Sequence, residues 1–147
     1  MLRRSPLARR TPLRPTRRST GPDRLTVDAV LERDRHSCAV CGHGLSGARG
    51  WGWSIQHRRP RRAGGDPRPD TNLPSNLIPV HGSGTTDCHG RIESHRAESY
   101  ENGWLLHGGD VPSQQAICHA VHGWCYLTDD GRVSLSPPPV DVGGVIR

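Results

Sequence analysis

Two cysteines separated by two residues, Cys38 and Cys41, constrain this chain more than any other feature of its sequence. The chain has five cysteines, an odd number that argues against a complete set of disulfides. Its start lacks the apolar stretch of a secretory signal, which favours reduced thiols. A redox pair is the alternative, but the surrounding sequence has no thioredoxin-like strand–helix–strand pattern. We therefore interpret this CxxC pair as two metal ligands.

A ligated metal would compensate for a shortage of apolar side chains. Only 32% of the 147 residues are apolar, none is Phe, and the chain contains 18 Gly and 13 Pro. So small a core supplies little folding free energy, and metal binding can add to it. The same composition excludes a membrane-spanning helix, because no apolar run approaches the roughly 20 residues that a bilayer requires.

The positive charge is concentrated at the N-terminal end. The formal net charge is +6, and all 20 basic residues are Arg. Residues 1–20 contain seven Arg and no acid, whereas the remaining residues are close to neutral. We expect residues 1–23 to form a disordered basic arm whose partner is a polyanion, most simply DNA.

Apolar periodicity and turn residues predict alternating short elements after the arm. We expect a helix over 26–36 capped by Thr26, a strand ending at His57, and a loop over 58–75. A second strand is predicted over 77–80, and a helix from Asp87 to Tyr100 that Gly103 closes. The predicted later elements are strands over 104–107, 124–128 and 132–135, a hairpin turn over 129–131, and a flexible Pro-rich tail over 136–147.

Four motifs occur in an order and spacing that resemble the HNH endonuclease family, in its version with a zinc knuckle around the ββα-metal motif. They are CAVC (38–41), QHRRPRRAGG (56–65), SNLIPVHGSGTTDCHG (75–90) and GWCYLTDDGR (123–132). The last motif also resembles the end of phage-encoded HNH proteins. The resemblance covers about 24–135. It implies a small, zinc-stabilised α+β domain with a preceding helix and a C-terminal β-hairpin.

The resemblance implies a structural zinc site. Cys38, Cys41 and Cys88 would supply three thiolates, and His81 stands where the family usually has a cysteine. A Cys3His set suits tetrahedral zinc. His89, which follows Cys88 directly, is the alternative fourth ligand.

The resemblance also implies a catalytic site with one divalent cation (Mg²⁺, Mn²⁺, Ni²⁺ or Zn²⁺). His57 would be the general base, Asn76 would orient the loop that bears it, and His89 would bind the cation. Glu93 lies one helical turn after His89 and can share its helix face. Gln56 stands where the family often has Asp or His, and an amide oxygen is a weaker, uncharged ligand.

Two further groups of residues have less specific patterns. Four arginines follow the predicted base, and on a loop beside a nuclease centre they would bind DNA phosphates rather than form a merely solvated charge run: Arg58, Arg59, Arg61 and Arg62. A second group lacks a CxxC pair, and we expect core thiols there rather than another zinc site: Cys118, His119, His122 and Cys125.

The function that these features predict is a metal-dependent endonuclease that hydrolyses DNA phosphodiester bonds. The resemblance places it in phage DNA processing or packaging, in the host cytoplasm, with a phage terminase as a partner. Because Gln56 is a weak ligand for a catalytic cation, a non-catalytic, zinc-stabilised DNA-binding module is the alternative function. A structural partner of a terminase is the third interpretation.

We expect removal of residues 1–20 to weaken non-specific DNA binding and to flatten its salt dependence, because seven positive charges are lost. The measurement is the slope of log affinity against log salt concentration for the full chain and the truncated chain. An unchanged slope would show that the arm does not bind phosphates.

Overall fold

The computed structural model describes residues 20–61 and 65–140. Most of the predicted arm, Arg62, and residues 141–147 of the predicted tail lie outside the described residues. The described part is a small α+β fold with two antiparallel sheets, as predicted. Its elements are α1 (Arg24–Arg33), β1 (Trp53–His57), β2 (Leu77–His81), α2 (Asp87–Ser94), α3 (Arg96–Glu101), β3 (Ile117–His119), β4 (Gly123–Leu127) and β5 (Val133–Ser134).

Helix α1 begins and ends earlier than predicted. Its N-cap is Asp23, whose carboxylate accepts a hydrogen bond of 2.8 Å from the backbone N–H of Thr26, so the prediction of Thr26 as the cap is wrong. The helix cannot continue to residue 36, because Arg35 and His36 adopt left-handed φ angles of 53° and 51°. The buried side chains of α1 are Val27, Val30 and Leu31.

Strands β1 and β2 form a two-stranded antiparallel sheet, and α2 follows β2 along the chain. Gln56 is paired with Ile78, and His57 with Leu77. Pro79 is tolerated in β2 because both strands of a two-stranded sheet are edge strands. In this antiparallel register the start of α2 lies near the start of β1, where Ser54 contacts His89, and Glu93, one turn later, reaches Gln56 near the end of β1.

The predicted single helix over 87–100 is two helices that meet at His95. The backbone of His95 leaves the helical region, with φ −112° and ψ 61°. The Ser99 hydroxyl lies 3.0 Å from the Ile92 carbonyl and 2.9 Å from the His95 carbonyl, so it satisfies main-chain acceptors at the break. The turn at Gly103, with φ 68°, follows α3 as predicted.

The second sheet has the order β3–β4–β5, and the predicted turn over 129–131 joins β4 to β5. Residues 104–107 are not a strand, so that prediction is wrong. Trp104, Leu105 and Leu106 are buried as irregular chain, which explains their apolar character. The three-residue strand β3 was not predicted. In the described part of the tail, the Pro138 carbonyl accepts a hydrogen bond of 2.9 Å from the Gln114 amide.

The hydrophobic core lies between the two sheets and α2. It consists of Cys38, Ala39, Ile78, Val80, Ile92, Trp104, Leu105, Ile117, Cys125 and Leu127. None of the helices in the described ranges is long and apolar enough to cross a membrane.

Arg58 is a fully buried cation that holds several loops together through their main chain. Its five N–H groups donate to five carbonyl oxygens at 2.8 to 3.1 Å, those of Gly103, Ser75, Pro112, Gln115 and Ala116. Burial, together with the nearby charge of Arg33, lowers the pKa of this guanidinium to about 9. A buried charge is tolerable only when its hydrogen-bonding groups are satisfied, and all five are.

The prediction that Arg58 and Arg59 bind DNA phosphates is wrong, because both side chains are buried and already paired. Arg59 binds the carboxylate of Asp70 and donates a bond of 2.8 Å to the Asp110 carbonyl. Arg61 is exposed, and its guanidinium lies 2.9 Å from the Thr20 carbonyl. Of the four arginines, Arg61 alone is exposed within the described residues.

We expect Arg58→Lys to lower the free energy of unfolding by at least about 3 kcal/mol, because lysine has only three N–H donors and leaves buried carbonyls unpaired. The measurement is urea unfolding at neutral pH. Arg61→Lys is the matched control, and as an exposed substitution it should change stability by less than about 0.5 kcal/mol. Equal midpoints for the two variants would contradict a structural role for Arg58.

Candidate metal centre and active site

Three thiols and one imidazole converge at one point in the structure. The ligand atoms of Cys38, Cys41, His81 and Cys88 all lie within 4.8 Å of one another. They come from three segments: the turn after α1, the last residue of β2 and the first turn of α2. The cluster could hold a metal ion such as zinc, and the predicted Cys3His ligand set is confirmed.

The turn between Cys38 and Cys41 is shaped by its backbone. The N–H of Gly42 donates to the Cys38 carbonyl at 2.8 Å, and the N–H of Cys38 donates to the His43 carbonyl at 2.9 Å. Gly42 has a φ of 77°, a conformation that favours glycine. The turn therefore presents both thiols on one side.

The His81 ring is oriented for metal binding by a main-chain acceptor. Its Nε2 lies 3.2 Å from the Gly44 carbonyl, which can only accept, so Nε2 carries the proton. Its Nδ1 lies 3.3 Å from the Cys41 sulfur and faces the thiols with its lone pair. Metal-binding histidines commonly have such a partner on their second nitrogen. The alternative ligand, His89, is not among the four clustered residues.

The thiols cannot all ionise easily without a cation between them. Burial, together with the neighbouring Cys38, raises the pKa of Cys88 to about 12. Burial also raises the pKa of Cys38. Burial opposes ionisation of Cys41, but hydrogen bonds from the backbone and side chain of His43 outweigh it, and the pKa falls to about 6. A bound divalent cation would stabilise all three thiolates together.

A second cluster combines a buried carboxylate with two histidines: Asp34, His119 and His122. The backbone N–H of Val121 donates to His119 Nδ1 at 3.1 Å, so the proton of His119 is on Nε2, 3.2 Å from the Asp34 carboxylate. His122 likewise directs its Nε2 proton to the Arg33 carbonyl at 2.9 Å.

Protonated ring nitrogens do not bind metals, so this geometry favours a polar network. Arg33 also binds both oxygens of Asp34, at 2.7 and 2.6 Å. Burial on its own would raise the pKa of Asp34, but the hydrogen bonds from Arg33 and the nearby His119 ring outweigh it and lower the pKa. The network ties the end of α1 to the β3–β4 turn.

His89 faces β1 and is held there by Ser54. The Ser54 hydroxyl donates to the Gly82 carbonyl at 2.7 Å, and it lies 2.7 Å from His89 Nδ1. Since the one hydroxyl proton goes to Gly82, His89 Nδ1 must carry its own proton and donate to Ser54. The remaining nitrogen, Nε2, keeps a free lone pair.

Glu93 lies one turn further along α2, on the same side as His89. Its Oε1 accepts a hydrogen bond of 3.3 Å from the Gln56 amide, and its Oε2 lies 3.5 Å from Arg96. Burial lowers the pKa of His89, while the negative charge of Glu93 opposes this shift. Gln56 thus contacts Glu93 as a hydrogen-bond donor, and Gln56, Glu93 and His89 lie together between β1 and α2.

His57, the last residue of β1, is part of a different set of contacts. Its Nε2 lies 2.9 Å from the Asn72 Oδ1, and the Asn72 amide nitrogen donates to the Thr20 carbonyl at 3.1 Å. An amide oxygen accepts, so His57 carries its proton on Nε2 and its Nδ1 has a free lone pair. Burial lowers the pKa of His57, and the charges of Arg61 and Arg49 lower it further.

Asn76 is fully buried and holds the main chain that follows His57. Its Oδ1 accepts a bond of 2.7 Å from the Arg59 N–H, and its amide donates to the Thr71 carbonyl at 2.8 Å and the Arg59 carbonyl at 3.3 Å. The Asn76 carbonyl also accepts a bond of 2.8 Å from the Arg58 N–H. These four hydrogen bonds fix the loop on which His57 ends.

The candidate catalytic residues therefore form two groups rather than one. Ser54 and Gln56 extend from one face of β1 toward α2, and His57 follows Gln56 directly, so the pleat directs it to the other face. Within residues 20–61 and 65–140, neither cluster of three or more metal-ligating side chains includes His57, His89 or Glu93.

Two residues that orient the histidines were not predicted, Asn72 and Ser54. Asn72 precedes Leu73 just as Asn76 precedes Leu77, and this repeated Asn-Leu pair is the signal that could have identified it. Ser54 has no such signal, since a serine inside a strand is common and its partner is 35 residues away.

Comparison of the chain with protein-family models, with curated proteins and with solved structures finds no match. The geometry of the sites therefore carries the functional argument, and the resemblance to HNH endonucleases stays a prediction.

We expect protein purified without added metal to contain about one tightly bound zinc per chain, since three thiolates and an imidazole form a strong zinc site. Cys41→Ala should remove the zinc and broaden thermal unfolding, and the exposed position of Cys41 makes lost packing a minor effect. Cys118→Ala, at a thiol outside the cluster, should retain the zinc. Elemental analysis and circular dichroism are the measurements. Folded protein free of zinc would contradict the site.

Proposed function

We propose that this protein is a metal-dependent endonuclease of the HNH type that hydrolyses DNA phosphodiester bonds. One observation carries the proposal: His57 and His89 are each held in a single tautomer by a side-chain hydrogen bond, and each retains one nitrogen lone pair. Two imidazoles oriented in this way beside one short strand support a catalytic role, with one nitrogen of each ring available to accept a proton or bind a cation.

His57 has the properties of a general base. Its Nδ1 can accept a proton from water, and its lowered pKa keeps the ring neutral at neutral pH. Asn72 holds the Nε2 proton in place and stabilises the imidazolium that forms when Nδ1 is protonated. Asn76 keeps the end of β1 rigid, so the base does not move away from a bound phosphate.

The residues between β1 and α2 fit a divalent cation. His89 offers Nε2, and the partly exposed Glu93 offers a carboxylate oxygen. This nitrogen and oxygen set suits several divalent metals. Gln56 orients the Glu93 carboxylate through its N–H. A cation bound there would stabilise the negative charge that develops on the phosphate oxygens.

The charge distribution supports DNA as the substrate. The described arginines beside His57 are mostly committed to the fold, which leaves Arg61 and the arm to bind phosphates. The arm has seven positive charges over residues 1–20, enough for a salt-dependent contact with a nucleic-acid backbone. A role in phage DNA packaging, with a terminase, stays a prediction from the resemblance.

A second candidate function is a non-catalytic, zinc-stabilised DNA-binding module. The observation that favours it is the hydrogen bond between Gln56 and Glu93, since an uncharged amide stands where a charged or imidazole ligand would strengthen cation binding. In this alternative, the Cys3His cluster stabilises the fold, and the arm binds DNA without cleavage.

We expect His57→Ala to slow plasmid cleavage by about 10²–10⁴-fold, because a general base is lost, while zinc content, fold and DNA binding are retained. His89→Ala should also abolish cleavage, and excess metal should partly rescue it because a cation ligand is missing. The assay is nicking of supercoiled plasmid with Mg²⁺, Mn²⁺, Ni²⁺ and Zn²⁺ in turn, with circular dichroism for the fold.

His95→Ala is the matched control, because His95 is an exposed histidine between α2 and α3 whose side chain hydrogen-bonds its neighbour Ser94. It should cut like the unaltered protein. Unaltered protein that binds DNA but never cuts it with any ion would reject the nuclease and favour the DNA-binding module. Cleavage by His57→Ala at the unaltered rate would reject His57 as the base.

A further inference from the structure

The residue where the basic arm joins the folded domain, Thr20, lies beside the candidate base. Its carbonyl oxygen accepts two hydrogen bonds, one from Arg61 at 2.9 Å and one from the Asn72 amide at 3.1 Å. The other end of the Asn72 side chain accepts from His57 at 2.9 Å. A continuous chain of hydrogen bonds therefore joins Thr20, through Asn72, to His57.

The direction of this chain depends on Thr20. An asparagine side chain can present either its oxygen or its NH₂ group to a neighbour, because a half-turn exchanges the two. A main-chain carbonyl only accepts, so the Thr20 oxygen requires the NH₂ group of Asn72 on its side. The Asn72 oxygen must then face His57, and the His57 proton must lie on Nε2.

Other contacts keep Thr20 in place. Arg61 donates to the Thr20 hydroxyl at 3.3 Å as well as to its carbonyl. Gly65, which has a φ of 107°, lies on the other side, and a Cβ atom there would be 3.7 Å from the Thr20 methyl group. The loop after β1 thus contacts Thr20 on two sides.

We propose that Thr20 belongs to the candidate active site. Its carbonyl orients Asn72, and Asn72 thereby determines which nitrogen of His57 can accept a proton. Thr20 and Asn72 are positioning residues that act through His57. Loss of the arm then impairs catalysis in addition to weakening DNA binding. This catalytic consequence rests on the proposed function, whereas the effect on the His57 tautomer does not.

Two variants that lose the same charge separate the effect of Thr20 from the effect of the arm's positive charge. One replaces the seven arginines of residues 1–20 with glutamine and keeps Thr20, and the other deletes residues 1–20. Long-range ¹H–¹⁵N NMR of the ring nitrogens, with the imidazole neutral, reports the tautomer of His57. Zinc content and thermal unfolding report the fold.

We expect His57 in the full chain and in the glutamine variant to carry its proton on Nε2 alone. The deletion should add the Nδ1-protonated form, because Asn72 becomes free to turn its NH₂ group toward His57. Adding Asn72→Asp to the deletion should restore the Nε2 proton, since a carboxylate has no N–H to donate. An unchanged His57 tautomer in the folded deletion variant would overturn the proposal.

Cleavage at saturating DNA gives a second readout. The deletion should lower kcat by roughly three- to tenfold relative to the glutamine variant, less than removal of the base itself. Equal kcat values with equal tautomers would overturn the proposal. If the unaltered protein does not cleave DNA, the proposed function fails, and the NMR comparison still decides the role of Thr20. If the deletion variant does not fold, Asn72→Ala in the full chain replaces it, because it removes the acceptor for the His57 Nε2 proton. A His57 tautomer that stays wholly on Nε2 would then overturn the proposal.

Discussion

The Cys3His cluster is the interaction on which the rest of this small fold depends. It joins the turn after α1 to the end of β2 and the start of α2, three segments that also contribute residues to the small hydrophobic core. A metal ion held there would replace the large hydrophobic core that the composition cannot supply. Because Cys88 and His89 are adjacent, the same cluster also determines where α2 presents His89 to β1.

Buried arginine side chains supply the second set of constraints. Arg58 donates to main-chain carbonyls of loops and Arg33 to the main-chain carbonyl of Leu77 at the start of β2, and Arg33 and Arg59 also pair with Asp34 and Asp70. Such groups are costly to bury, and they are stable here because their hydrogen bonds are largely satisfied. These charges serve the fold, so the phosphate contacts of the proposed function are assigned to the arm and to exposed residues such as Arg61.

The candidate active site depends on hydrogen bonds that determine proton positions. Ser54 orients His89, and Asn72 orients His57, so each imidazole has one free nitrogen. Both orienting residues depend in turn on a main-chain carbonyl, that of Gly82 or Thr20. A rigid main chain therefore controls the chemistry of both histidines, and the position of Thr20 links one of them to the arm.

The sequence by itself determined the α+β class, the strands β1, β2 and β4, and the CxxC pair, because periodicity, turn residues and the spacing of Cys38 and Cys41 are local properties. His81 and Cys88 were added to that pair by the resemblance to a known family. It did not determine which arginines are exposed: Arg58 and Arg61 have similar neighbours in the sequence, yet one is buried and the other exposed. The break at His95 and the roles of Ser54 and Asn72 were also decided only by the tertiary structure. Ser54 and Asn72 bind histidines that are distant in the chain, and the break at His95 involves main-chain carbonyls. Hydrogen bonds between distant residues have no sequence periodicity.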